Sequence, residues 1–531
     1  MLDYTAIIHA NTAYMYWREK QKTTPLWREN YSSPVPLPFS VETACGVLIS
    51  IRHRNAARTQ GHPAVNHDSP DVSLLRGCSV FPKDFGYGHG TRMGHGAVHD
   101  ILRFGAAHAR DSTGAIVAAI AAATHGDTVH IPTGHVFLTR PFNISKDGIS
   151  LQIDGTLQGM TERWPIVPPL PTYGRDRDGA KPHRHQALIM LHAAKHVALR
   201  GHGTIDGQGE WWWNARRSQP HAGRPHLIEV HSCAHVEIAG LSLVDSPFWT
   251  LHLYASEHVH VHRVIIRVHA RPRPPPPPDG APAIYEGMAP LFAPNTDGID
   301  PDSSRHVLIE HCDVSCGDDH VAIKSGMNEV ARGGSQYMAE NITVRHNIFR
   351  LGMGVSIGSE TAGGVRNVHV YNNTFLGDGS WCVALHVKSA AQRGGMISNV
   401  AFTHNVVFNT TALMRLATFG KSIVPTAYEA TSIHGLEWAH NIYWRPASGA
   451  RGRRVRNKFI CPSTGRCGAI RVRNNSFPPA VSAWQCVGVG LEAKGQEGAD
   501  EGSCAGVAAP TKKRRRTRRG RRNRRVHLKN R

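Results

Sequence analysis

His196-Val-Ala-Leu, His235-Val-Glu-Ile, His258-Val-His-Val, His306-Val-Leu-Ile, Asn341-Ile-Thr-Val, Asn367-Val-His-Val and Asn399-Val-Ala-Phe are versions of one short phrase. Each opens on His or Asn, then runs apolar, any residue, apolar. The spacings are 39, 23, 48, 35, 26 and 32 residues. Alternation with a period of two marks a short strand with one buried face. A unit of this length cannot bury that face alone; stacking units buries a continuous core. A fixed strand phrase at uneven spacing fits a parallel β-helix whose loops differ in length. A propeller would need four strands per blade, and a leucine-rich repeat its Leu/Asn consensus; the phrase supplies neither.

Upstream of the repeat, patterning begins at Phe104. Ala115–Ala123 (AIVAAIAAA) reads as a short apolar helix capping the N-terminal end of the solenoid. Gly126–Leu138 follows as alternating strands around a Pro-Thr-Gly turn. Residues 1–95 show no period and read as a disordered leader. The expected β-helix domain therefore spans 96–475. Inside it, Arg271–Pro282 (RPRPPPPPDGAP) cannot join a sheet ladder, and reads as a surface insert or unspliced sequence. Past Asn475 the phrase stops, so 476–531 is expected to be disordered.

Composition narrows the class. The chain has 531 residues, enough for one large core. No apolar run reaches the roughly 18 residues of a membrane helix. The opening, MLDYTAIIHA, has no basic region followed by an apolar one, so no secretory signal is expected. The formal net charge is +21, and Lys512–Arg531 holds 13 Lys/Arg with no acid. Without that tail the charge is 21 − 13 = +8. A moderately basic body suits a polyanionic ligand. The tail reads as solvated chain or as a nucleic-acid-binding or nuclear-targeting segment. Cys461, Cys467, Cys486 and Cys504 cluster as disulfides would in an oxidising compartment. No Cys/His spacing fits zinc, and no metal site or cofactor is expected.

Three segments carry the chemistry: Asn295-Thr-Asp-Gly-Ile-Asp300, Gly317-Asp-Asp-His320 running into Val321-Ala-Ile-Lys-Ser-Gly326, and Gly352-Met-Gly-Val-Ser-Ile-Gly-Ser359. They recur at about one coil per step, and residues one coil apart stack about 4.8 Å apart. Asp297, Asp318 and Asp319 are thus expected as one carboxylate cluster on the outer surface. Like charges that close cannot all ionise, so at least one pKa should rise. A protonated acid beside an ionised base is what glycoside hydrolysis requires. The plainer readings of paired Asp residues are a calcium site or a turn cap. Trp211, Trp212 and Trp213 read either as core or as platforms for sugar rings.

Taken in order, NTDGID, GDDHVAIKSG and GVSIGSE resemble the signature blocks of glycoside hydrolase family 28, the polygalacturonases. The FGA opening at Phe104 and GTIDGQGEWWW (Gly203–Trp213) agree, so the resemblance runs from about Phe104 to Asn441. It implies a right-handed parallel β-helix, no metal, and a pectic polysaccharide as substrate. By the same resemblance Asp318 is the general acid, while Asp297 and Asp319 position and activate water, with inversion at the anomeric carbon. Two blocks depart from the pattern. Gly352-Met353-Gly354 stands where the family usually has Gly-His-Gly. His386-Val387-Lys388 stands where it usually has Arg-Ile-Lys, so the bidentate grip on a sugar carboxylate is lost. Lys388, His386 and Lys324 are the remaining candidates for substrate binding.

The acid pair is kept and the carboxylate grip is weakened. Besides a polygalacturonase, that leaves a glycosidase for a related sugar and a non-catalytic polysaccharide-binding β-helix. A lyase on the same scaffold is disfavoured by the ordered Asp297, Asp318 and Asp319 blocks. The resemblance places the protein outside the cell or in the cell wall, acting on pectin or polygalacturonate; a monomer is expected.

Overall fold

In the computed structural model, the described residues are 48–51, 72–75, 96–173, 184–218, 223–269, 271–272, 291–377, 382–390, 393–419, 431–444, 456–461, 467–476, 483–487 and 491–494. Two units divide the chain, residues 1–90 and 91–531. In the first, Leu48–Ile51 pairs antiparallel with Val72–Leu75. The rest of the expected leader lies outside the described residues.

The second unit is a right-handed parallel β-helix. Its described strands form three long sheets of 11, 13 and 10 strands. One coil shows the plan. Ile228–His231, Ala234–Ala239 and Ser242–Val244 each go to a different sheet, and the next coil repeats them as Leu251–Tyr254, Glu257–His262 and Ile265–Arg267. Inward positions stack coil on coil. Leu199, Ile238, Val261, Ile309, Val344, Val370, Phe402, Trp438 and Val472 are successive partners. All nine are sealed from solvent. The helix Thr113–Ala122 closes the N-terminal end, burying Ala115, Ile116, Ala119 and Ile120.

The repeat's opening residue is explained by backbone. His196, His235, His258, His306, Asn341, Asn367 and Asn399 all have φ between 52° and 56°. His and Asn are among the side chains that best tolerate this left-handed region. Each lies inside its strand as a kink at which the pairing register skips a residue, and identical kinks stack. The imidazoles of His196, His235, His258 and His306 lie 4.7, 4.8 and 4.7 Å apart and nearly parallel. Asn399 donates to Asn367 and Asn367 to Asn341.

A second corner repeats the device inside the core. His346, Asn372, His404, His440 and Asn474 take positive φ, and each is followed by a buried asparagine: Asn347, Asn373, Asn405, Asn441 and Asn475. Each amide Nδ2 donates to the Oδ1 of the next, at 3.0, 3.0, 3.0 and 2.9 Å. An unpaired buried amide costs about 1–3 kcal/mol, so the ladder holds only as a complete row.

Two expectations are corrected. Strands continue past Asn475: Ala483–Val487 and Leu491–Lys494 extend two of the long sheets. These strands lack the His/Asn opening, which is why the phrase missed them. Residues 495–531, with the Arg-rich tail, lie outside the described residues. The insert's first two residues do pair: Arg271–Pro272 runs antiparallel to Leu291–Phe292, apart from the long sheets. A two-residue edge pair tolerates a proline that cannot donate; residues 273–290 lie outside the described residues. Cys461 and Cys467 form a disulfide.

Candidate active site

The 11-stranded sheet carries the site on its outward row. Successive partners Glu229, His252 and Asp300 lead to Ala322, Ser356, His386 and Arg415. Asp297 enters this face just before the strand Ile299–Asp302, and Asp318 and Asp319 just before Val321–Ile323. The coil repeat brings the three carboxylates together, with one oxygen of each within 4.8 Å of the others. The cluster was expected on the outer surface; instead it is recessed, with Asp297, Asp318 and Asp319 only 4, 9 and 3% exposed. The covering residues come from loops, whose reach the strand phrase does not reveal.

Asp300, which the sequence reading passed over, completes the cluster. Lys324 Nζ lies 3.2 Å from Asp297 Oδ2 and 3.8 Å from Asp300 Oδ1. It also sits 3.4 Å from the ring centroid of Trp249. Lys388 donates to Asp319 Oδ2, and Ser356 Oγ donates to Asp319 Oδ1 at 2.8 Å. The Asp319 N–H donates to Asp318 Oδ1 at 3.0 Å. The two lysines expected to reach a sugar carboxylate are thus turned to the protein's own acids. Lys324 is fully committed there; Lys388 keeps a partly exposed side chain.

Charge balance and burial then bias the carboxyls. Four aspartates share the site with two ammoniums, so the full set cannot be ionised. Burial lifts Asp318 well above the usual carboxylate range, and the charges of Asp297 and Asp319 push it further. Burial likewise lifts Asp300, against the pull of Lys324. Asp297 is raised by burial and restrained by Lys324. Burial opposes the charge on Lys324 and Lys388, but the aspartates around each outweigh it and hold both protonated. Asp318 is therefore pushed toward its protonated form beside Asp319, which is bound to Lys388, and Asp297, which is bound to Lys324. Asp297, Asp318 and Asp319 also have the donor set of a cation site, with an ammonium already on Asp297 and on Asp319.

Where the family usually has histidine, Met353 donates only its backbone N–H, to Asp318 O at 2.7 Å. The nearby imidazole of His320 does not replace it. Its Nδ1 accepts from the Gly354 N–H at 3.0 Å, and Nε2 faces Leu351 O at 3.1 Å. Burial lowers its pKa to about 4, so it stays neutral. Gly352 must be glycine here: its φ is 151°, and a Cβ would come within 2.5 Å of the His320 ring.

His386 is buried, and burial with the neighbouring Lys388 and Arg415 drives its pKa well down. A neutral imidazole cannot grip a carboxylate as a cation. Arg415, its partner one strand on, was also passed over in the sequence. It places a half-buried guanidinium on the same outward row. Trp212 and Trp213 are core residues on the helix Gly209–Ser218, while Trp211 is 48% exposed.

The sequence profile of the glycosyl hydrolases, family 28, matches residues 122–489. A probable polygalacturonase of Vitis vinifera is 31% identical over 291 residues, covering 52% of this chain and 52% of that protein. An endo-polygalacturonase of Pectobacterium carotovorum subsp. carotovorum is 31% identical over 236 residues, covering 42% and 50%. The chain thus spans about half the length of these relatives. Among solved structures, a hyperthermoactive exopolygalacturonase from Thermotoga maritima superposes with a TM-score of 0.56 at 21% identity, covering 76% of this chain and 92% of that one. A polygalacturonase from Erwinia carotovora ssp. carotovora gives 0.53 at 22% identity, covering 73% and 97%. These superpositions speak to the fold, and the profile match over most of the β-helix to descent: the chain belongs to glycosyl hydrolases family 28.

Proposed function

We propose that this protein is a pectin-directed glycoside hydrolase, cleaving α-1,4-galacturonosyl linkages by acid and base catalysis. The observation that carries it is the geometry of one recessed cluster, in which Lys324 holds Asp297 and Lys388 holds Asp319 beside Asp318. Asp318 holds a proton in reserve for the leaving oxygen. Asp297 and Asp319, held by Lys324 and Lys388, polarise the attacking water. Asp297 Oδ1 has no hydrogen-bond partner among the described residues, so it is available to that water. Arg415 and the partly exposed Lys388 supply positive charge for a uronate, in place of the arginine that His386 has displaced. The disulfide Cys461–Cys467 supports an oxidising, extracellular setting. Among the described residues no helix is long and apolar enough to cross a membrane.

Inversion at the anomeric carbon rests on the family resemblance. The nearest carboxylate oxygens here fall within 4.8 Å, whereas carboxyls about 6.5–9.5 Å apart mark inverting enzymes and about 5–5.5 Å retaining ones. Proton NMR of the first-formed anomer decides between them.

The direct test is release of new reducing ends from polygalacturonic acid by the full-length protein, with Asp318→Asn as control. Release that disappears in the variant supports the reading. Products that absorb in the ultraviolet would mean elimination instead of hydrolysis. A folded protein that binds the polymer without cutting it would be a polysaccharide-binding β-helix, the alternative that Met353 and His386 keep open.

A further inference from the structure

We infer that the substrate groove is closed on the N-terminal side of the carboxylates, so that the polysaccharide is cut from a chain end. This rests on the hydrolase reading above. A glycan crossing the coils must follow the outward row of the 11-stranded sheet, because only that row leads past Asp318. Toward the N-terminus the row is blocked. Trp249 packs against Lys324 on one side, its ring centroid 3.4 Å from Nζ. The ring of His226 stacks on it at 5.2 Å, and Phe248 at 4.9 Å. Tyr173 meets it edge-on.

Behind this aromatic wall the polar groups face one another and leave no open surface for a sugar. His226 Nδ1 lies 3.0 Å from Glu229 Oε2, which Arg184 also binds. His252 Nε2 lies 3.1 Å from Asp302 Oδ2, which accepts from the Tyr173 hydroxyl. Glu229, His252 and Asp302 are all 0% exposed, although each points outward from its strand.

Two loops hold the wall in place, and they clasp each other. The segment carrying Thr172 and Tyr173 climbs from an earlier coil, and Thr172 Oγ1 sits 3.0 Å from the Tyr254 hydroxyl. The segment after Lys324 meets it: Met327 N–H donates to Thr172 O at 2.8 Å, and Asn328 Nδ2 to Pro171 O at 3.0 Å. The fit is close, since a Cβ on Gly326 would fall 2.5 Å from Thr172. On the other side of the cluster, Lys388 and Arg415 stay partly exposed. The chain therefore enters over Lys388 and Arg415, its end abuts Trp249, and the linkage at Asp318 is a terminal one.

Product size tests this with the full-length protein. On polygalacturonate, one short product should accumulate from the first minutes, with little loss of viscosity per reducing end. A ladder of mixed oligomers with early collapse of viscosity overturns the wall and leaves the hydrolase reading standing. A second measurement does not need turnover. The Asp318→Asn variant is titrated against polygalacturonate of defined length, several tens of units long, by sedimentation. One protein per chain supports closure; several per chain overturns it. Absence of both release and binding refutes the pectic reading, and this inference falls with it.

Discussion

Replacing Lys324 by methionine should convert Asp297 from an ionised base to a protonated bystander. Two opposite charges 3.2 Å apart attract by about 5 kcal/mol at an effective dielectric constant of about 20, and at 3.8 Å by about 4 kcal/mol. Most of that attraction offsets the cost of burying Lys324, so the net loss is smaller. Stripping one partner from a buried pair costs about 3–5 kcal/mol when the other charge stays. Asp297 has a cheaper course, because burial already raises its pKa and it can take up a proton. Activity near neutral pH should then fall by about 10²–10⁴-fold, the usual worth of a general base. The sign follows from the group's role. Asp297 works ionised, so a higher pKa moves the acidic limb of the pH–rate profile to higher pH, and activity recovers in part as pH rises. The assay is reducing-end release across pH, beside a thermal melt at each pH. A Lys324→Met profile with an unmoved acidic limb, lowered equally at every pH, would refute the assignment and leave Lys324 a packing residue.

Asp318→Asn should be more stable than the parent at pH 7, by a few degrees in Tm. An acid whose folded pKa is raised weakens the fold as pH climbs through that value, so the gain should vanish near the unfolded value of about 3.9; melts from pH 3 to 8 check it. With Arg415 meeting the uronate as proposed, Arg415→Met should raise KM for polygalacturonate while leaving kcat within a few-fold; initial-rate kinetics separate the two. Asn405→Ala should cost about 1–3 kcal/mol in urea unfolding by leaving Asn373 and Asn441 with unpaired buried groups. Phe402→Ala, in the core stack, should cost about 3–5 kcal/mol in the same assay.

Much of the architecture was legible because a solenoid writes its period into the sequence. His196 through Asn399 marked the same strand of successive coils, and that alone excluded the other repeat folds. The carboxylates were legible for the same reason, since each sits just before a strand of the outward row. What the residues could not show was direction. Lys324 follows the Asp318-Asp319 pair closely while Lys388 has no acid near it in sequence, and only the fold reveals that their ammoniums meet Asp297 and Asp319. Arg415 carried no motif of its own; it matters because its strand pairs with that of His386. The Asn347 to Asn475 ladder was written in the sequence as His-Asn and Asn-Asn pairs at each coil. It was passed over because paired polar residues read as turn chemistry, and burial is what makes them structural. The wall at Trp249 depends on a loop from several coils away, a contact no local pattern encodes.

The asparagine ladder has a direction, and that bears on how the protein is made. In every rung the donors belong to the earlier coil: Asn373, for example, offers both its backbone N–H and its Nδ2 to the single oxygen of Asn405. Asn405 does the same for Asn441. A chain leaving the ribosome thus completes each turn with two donors waiting, and the acceptor for them is the next corner to be synthesised. The solenoid can wind in the order of its translation, each finished turn serving as the template for the one that follows.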